Sequence, residues 1–235
     1  MRTILGNVAM LAATAMSMPA SAASLLTNGS FEQGPALNVQ GYNRGGLPTS
    51  WSSSPGWETP DILGSGYHQT GAGFAQLLGP QDGDRYLDMN GASPTGAIRQ
   101  TVSGLTGGSL LKLSFWSGSW AQNSSGNLTA YLVDAANMAV LANKSIDYPY
   151  NPGATTSQWT QYFLSAVVPV SGQVSVVFSG NSGSSARGAP GLDNVALVAV
   201  PTAVPEPASW AMMIGGLAFV GGALRGRHKA RAATA

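Results

Sequence analysis

The chain contains no cysteine. That absence excludes a disulfide framework, a thiolate zinc site and a cysteine nucleophile together. Charge is scarce as well. Asp, Glu, Lys and Arg make up 9% of the 235 residues, against about 25% in an ordinary soluble domain. The formal net charge of +1 gives no electrostatic footprint for nucleic acid. Long helical periodicity is missing between residues 24 and 200. What is plentiful is Gly, with 31 residues, and Pro, with 14. Hydrophobic content is ordinary at 44%, so a core can be built and wholesale disorder is excluded. A weakly charged, Gly-rich, Ser/Thr/Asn-rich chain with scattered Val, Leu, Tyr and Trp reads as all-β with many turns.

The two ends stand apart from the rest. Residues 1–22 read as a secretory signal peptide. Arg2 is the charged start, Ile4 to Met16 is mostly apolar, and Pro19-Ala20-Ser21-Ala22 ends in a small-x-small cleavage pattern. At the other end, residues 201–235 form a linker and a second signal. Pro205, Glu206 and Pro207 precede an uncharged stretch, 208–224, that contains Gly215-Gly216 and Gly221-Gly222. Arg225, Arg227, Lys229 and Arg231 follow. An apolar stretch of this length is at the short end for a transmembrane helix. The basic cluster predicts that its end stays cytoplasmic.

Pro-Glu-Pro, a short apolar span and a basic tail, in that order, resemble the PEP-CTERM sorting signal. The resemblance implies an exported protein of a Gram-negative bacterium that makes an exopolysaccharide. It also implies an exosortase, a membrane protease-transpeptidase, acting near Pro205, Glu206 and Pro207. The precursor would sit in the inner membrane, and the processed protein at the cell surface or outside the cell.

Without both ends the charge changes sign. Residues 23–204 hold six cations and nine anions, a net charge of −3. Such a domain is a poor binder of polyanions and suits a neutral polymer or a divalent cation better. Alternation with period two marks strands at Ala97 to Val102, Leu110 to Trp116, Leu128 to Val133, Gln158 to Val168, Gln173 to Phe178 and Asn194 to Val200. Gly, Pro and Asn clusters separate them. Leu132 to Leu141 fits either a helical turn or a hairpin with Asp134 to Asn137 as its loop. Residues 33–80 read as long loops with one or two short strands. Six or more strands at this spacing predict one β-sandwich or jelly roll over residues 23–200.

Several short runs then carry a further resemblance. The domain opens Leu25-Leu26-Thr27-Asn28-Gly29-Ser30-Phe31-Glu32, and Gly56-Trp57 follows. Gly83-Asp84-Arg85-Tyr86-Leu87-Asp88-Met89-Asn90-Gly91 comes next, then Ile98-Arg99-Gln100-Thr101-Val102 and Leu113-Ser114-Phe115-Trp116. It closes with Gly191-Leu192-Asp193-Asn194-Val195. This order resembles the choice-of-anchor C surface proteins, and is similar to carbohydrate-binding modules of the galactose-binding-like jelly roll. The resemblance implies a β-sandwich at the cell surface, and no known activity. Carried over by motif, Glu32 and Asp193 become ligands of a structural calcium, with backbone carbonyls completing its six to eight oxygens. The alternative is that Asp193 caps a turn and Glu32 is solvated. Asp82, Asp84 and Asp88 alternate like a calcium loop but lack its remaining ligands, and they read as a glycine turn entering a strand.

Aromatic side chains are the third signal. Sugars stack their C–H faces on Trp and Tyr rings while polar groups take the hydroxyls. Strict alternation in Leu111 to Trp116 puts Leu111, Leu113 and Phe115 on one face and Lys112, Ser114 and Trp116 on the other. If the aliphatic face is core, Trp116 stands on the outside of the sheet with Trp120 nearby. Tyr148 and Tyr150 flank Pro149 and would form a lip. Trp51, Trp57, Trp159 and Phe163 read as core.

Catalytic constellations are absent from the pattern. His68 is the one histidine between the two end signals, and no Gly-x-Ser-x-Gly elbow occurs. Glu58 and Asp61 could serve a glycosidase, which needs only two carboxylates at set spacing, but nothing in the sequence pairs them across a cleft. The expectation is a non-catalytic surface or matrix protein that binds carbohydrate. A purely structural matrix spacer is the alternative, and a polysaccharide hydrolase stands third.

Overall fold

The computed structural model describes residues 23–54, 56–67, 76–91, 95–150, 152–182, 190–200, 212–219 and 221. The signal segment 1–22, His68, the Pro205-Glu206-Pro207 motif, and Arg225, Arg227, Lys229 and Arg231 lie outside the described residues.

Alternation in the longest apolar run decides the architecture. In β6 (Leu110–Ser119), Leu111, Leu113 and Phe115 are fully buried, whereas Lys112 is exposed and Ser114 and Trp116 are half-buried. Facing them across the core are Leu128, Ala130 and Leu132 of β7 (Gly126–Asp134) and Val174, Val176 and Phe178 of β10 (Val174–Asn181). The remaining strands among the described residues are β1 (Tyr42–Asn43), β2 (Ser52–Ser53), β3 (Asp61–Gly64), β4 (Arg85–Asp88), β5 (Thr95–Val102), β8 (Val140–Tyr148), β9 (Thr160–Val167) and β11 (Pro190–Val200). They form two antiparallel sheets, ordered β1-β3-β4-β11-β6-β9 and β2-β5-β10-β7-β8. The chain changes sheet repeatedly, as a jelly roll does. The two inner faces share one core that runs from Leu26 to Ala199. Phe115 and Phe178 meet edge to face in its middle, with ring centroids 5.0 Å apart.

All six expected strands are present. The stretch from Leu132 to Leu141 is a hairpin: β7 ends at Asp134, whose amide donates to the Ala139 carbonyl at 2.9 Å, and β8 begins at Val140. The described residues of 33–80 include three short strands, β1, β2 and β3.

The N-terminal segment is sewn beside β11. Leu25 N donates to Leu197 O at 2.7 Å, and Val195 N donates to Gly29 O at 2.9 Å. Gly29 is required there, because a Cβ at that position would strike the Val195 carbonyl. β11 carries a bulge between Asp193 and Ala196, with Asn194 at φ 46°. Asn tolerates this left-handed region better than most residues.

In the C-terminal tail, residues 212–219 form one short helix. Among the described residues no helix is long and apolar enough to cross a membrane. Residues 208–211, 220 and 222–224 of the span lie outside them.

Candidate functional site

The outer face of the six-stranded sheet has two unlike halves. Tyr86 and Leu63 point outward from β4 and β3 and are covered by Leu78, Trp120 and Ala121, with Tyr42, Tyr67 and Trp159 packed alongside. Polar bonds pin this cover. Leu77 N donates to Trp120 O at 2.7 Å, Trp159 Nε1 to Gly79 O at 2.9 Å, and Gln76 Nε2 to Tyr86 Oη at 3.0 Å. Burial pushes the Tyr86 phenol well above its ordinary range.

The other half, over β11, β6 and β9, is open. Register sets its rows: Ala196, Ser114 and Phe163 form one, and Val198, Lys112 and Ser165 the next. Trp116 pairs with Gln161 of β9 on one side and with Asp193 of β11 on the other. Phe163 is 63% exposed and Trp116 half-buried. Directly opposed residues in a ladder point to the same side, and diagonal neighbours lie about 7–8 Å apart, within reach of aromatic side chains. Trp116 and Phe163 are such a diagonal pair. Lys112 is exposed in these rows, and Asp193, the other ionisable residue, is fully buried.

The four aromatic residues expected at the site are therefore dispersed. Trp116 is on the outer face, as alternation requires. Trp120 is not: it is 3% exposed, because the segment through Leu78 folds over it. Tyr148 forms no lip. It ends β8, half-buried, and its hydroxyl donates to Ser117 Oγ at 2.6 Å, which in turn donates to Gly191 O at 2.7 Å. Burial pushes its phenol upward. Tyr150 is 61% exposed in the following loop. Two expected core residues are outside it. Trp57 is 40% exposed and Phe163 stands on the open face. Tyr162, Leu164 and Ala166 take the inner side of β9 instead, and Tyr162 stacks on Phe115 at 5.7 Å. Trp159 is half-buried, edge to face with Tyr86 at 5.7 Å in the outer cluster. Phe163 is the site residue that sequence reasoning missed. Its strand has apolar residues on both faces, so alternation alone cannot orient it; the pairing with β6 does.

Glu32 and Asp193 each hold part of one turn, residues 81–85. Asp193 Oδ2 accepts from the amides of Gln81 at 2.8 Å and Asp82 at 3.0 Å, and Oδ1 accepts from Asn194 N at 2.6 Å. Glu32 Oε1 accepts from the amides of Asp84 and Arg85, each at 2.9 Å. Gly83, at φ 65°, sits directly against the Glu32 carboxylate. Desolvation raises the Asp193 pKa to about 7 in spite of these amides. The donors converging on the pair are N–H groups, whereas calcium needs oxygens turned toward a shared centre. Among the described residues no three acidic or histidine side chains converge. As placed, this donor set does not fit a calcium ion.

Glu58 is exposed beside Gly96, while Asp61 is buried in β3. The register partner of Asp61 is Asp88 of β4. Asp61 Oδ1 accepts from Gly45 N at 2.8 Å and Asp88 Oδ1 from Asn90 N at 3.1 Å. Burial raises both carboxyls, that of Asp88 to about 7.

The opposite surface, outside the five-stranded sheet, is polar. Arg99, Val177, Tyr131 and Asn143 form one row, and Ala97, Ser179, Thr129 and Ser145 the next. Its hydroxyls bond one another: Thr101 with Ser175 at 2.8 Å and Thr129 with Ser145 at 3.2 Å.

Comparison with known proteins fits this anatomy. The PEP-CTERM protein-sorting motif matches residues 203–227. That motif implies export, transient membrane anchoring and processing by an exosortase. No curated protein matches the sequence. Among solved structures, the sandwich is similar to a Stig cyclase from Fischerella sp. TAU, at 16% identity and a TM-score of 0.52, over 77% of this chain and 99% of that one. This likeness is one of fold. The CBM22-1 xylan-binding domain of Paenibacillus barcinonensis Xyn10C is similar at 15% identity and a TM-score of 0.41, over 78% of this chain and all of that one. The enzymatically active domain of bacteriophage CBA120 tailspike protein 4 matches at 14% identity and a TM-score of 0.41 over 75% of this chain. The chain spans 21% of that tailspike's length.

Proposed function

We propose that this is an exported, exosortase-processed protein of the cell surface or exopolysaccharide matrix, whose sandwich, residues 23–200, binds a neutral glycan without catalysis. In this reading residues 1–22 are a signal peptide. The C-terminal segment holds the precursor in the inner membrane of a Gram-negative bacterium until cleavage. The resemblance to choice-of-anchor C surface proteins agrees with it.

One observation carries the binding reading. Trp116 and Phe163 share an open outer sheet face with Ser114, Gln161 and Ser165 between and around them. Rings offer stacking surface for sugar C–H groups, and the short polar side chains offer partners for hydroxyls. The near absence of charge suits a neutral polymer. Calcium has no part in this reading. The test is retardation of fragment 23–200 in a gel containing the producer's exopolysaccharide, and its loss in Trp116→Ala. The fragment is sufficient because both hydrophobic clusters lie wholly within it.

A structural spacer is the second reading. It is favoured by the outer face of the five-stranded sheet, where hydroxyls are satisfied by each other rather than turned to a ligand. A polysaccharide hydrolase stands third; of the two carboxylates it would use, Glu58 is exposed and Asp61 is buried in β3 beside Asp88.

A further inference from the structure

We propose that β9 is the docking edge for a second copy of this chain, paired antiparallel about Phe163 so that the six-stranded sheets of two copies continue as one.

Four strands end the two sheets: β1 and β9 in one, β2 and β8 in the other. An edge strand exposes a row of unpaired backbone groups, and proteins blunt such edges by shortness, charge or proline. Three of the four are blunted. β1 and β2 have two residues each, and β8 carries Lys144 and Asp147. β9 has eight residues, Thr-Gln-Tyr-Phe-Leu-Ser-Ala-Val, with no charge, proline or glycine. β6 pairs with one side of it, and no strand among the described residues pairs with the other. Two cations flank it from neighbouring strands: Lys144 Nζ lies over the Tyr162 ring at 5.8 Å from its centroid, on the inner side, and Lys112 of β6 pairs with Ser165 on the outer side.

The sequence of β9 also selects its partner. A two-fold interface needs a self-complementary surface, and opposed residues must face the same side of the sheet. Pairing about Phe163 meets both conditions. Phe163 stands opposite its own copy, Gln161 opposite Ser165, and Tyr162 opposite Leu164. Aromatic meets aromatic, polar meets polar, and apolar meets apolar. Pairing about Leu164 would set Phe163 against Ser165 and Gln161 against Val167. Phe163 and Val167 are exposed in the single chain, and pairing would set the two Phe163 rings side by side. One added ladder makes a small interface compared with the usual 1,600 Å² or so, so association is concentration-dependent, which suits a protein gathered on a surface. The inference does not rest on glycan binding.

Sedimentation equilibrium of fragment 23–200 over a concentration series tests it. The wild type should pass from monomer to dimer. Gln161→Lys with Ser165→Lys sets like charges opposite each other and should remain monomeric. Gln161→Lys with Ser165→Glu sets opposite charges face to face and should restore the dimer. Both positions are exposed, so circular dichroism, and melting of dilute monomeric protein, should be unchanged in each variant. A wild type that stays monomeric throughout overturns the proposal. So does growth beyond dimer, a dimer that survives the double lysine change, or one that the Lys/Glu pair fails to restore.

Discussion

Asp193 and Glu32 grip the two halves of one turn. Asp193 holds the amides of Gln81 and Asp82, and Glu32 those of Asp84 and Arg85. The two carboxylates differ in how far they are committed. Asp193 is fully buried and uses both oxygens, whereas Glu32 is half-buried and these bonds fall on Oε1 alone. Asp193→Asn must turn an NH₂ group toward at least one amide donor. It should cost about 1–3 kcal/mol in urea unfolding, the usual penalty of an unsatisfied buried donor. Glu32→Gln keeps a carbonyl for the turn and should cost less. Equal costs would contradict the asymmetry.

The same cradle bears on calcium. If amides hold the turn, adding a chelator to the purified fragment should leave its melting temperature unchanged. An ion bound only to the folded state would raise that temperature by mass action. A clear fall on chelation would return the ion to Glu32 and Asp193.

Asp61 and Asp88 predict an unusual pH profile. Both carboxyls are raised by burial, Asp88 from 3.8 to about 7. The folded state therefore holds protons that the unfolded state releases. The resulting stabilisation is complete below about pH 4 and lost as pH rises through about 7. Asp193 shifts in the same direction. The melting temperature should fall between about pH 4 and pH 7, and Asp88→Asn should flatten the slope. Stability that climbs over this range would contradict the assignment.

Two phenylalanines separate the core from the open face. Phe178 is fully buried and packs on Phe115 and Trp51. Its replacement by Ala should cost about 3–5 kcal/mol. Phe163→Ala should change monomer stability by less than about 0.5 kcal/mol, read by urea unfolding of dilute protein. A large loss from Phe163→Ala would put that ring back in the core.

Much of the sandwich was legible because β6 and β10 alternate cleanly between apolar and polar or small residues. β8 was not, because Leu132 to Leu141 fits a helical turn as well as a hairpin until β7 pairs with β8. Trp116 was legible from its own strand. Trp120 follows that strand, and its burial depends on Leu78, a long-range contact that no local period encodes. Closeness of Glu32 to Asp193 was expected from the neighbouring chain ends. The turn that both hold was not, since it enters from the middle of the sequence. Phe163 was misplaced because its strand is apolar on both sides, as a self-pairing edge would be.

The most direct test of the account is affinity electrophoresis of fragment 23–200 through gels with and without the producer's own exopolysaccharide. Trp116→Ala and Tyr131→Ala run alongside, the second removing the ring on the opposite sheet face. The account predicts retardation of the wild type and of Tyr131→Ala, and loss of retardation in Trp116→Ala with its melting temperature retained. Equal mobility of the wild type in both gels would contradict glycan binding and leave the spacer. Retardation lost only in Tyr131→Ala would contradict the choice of face.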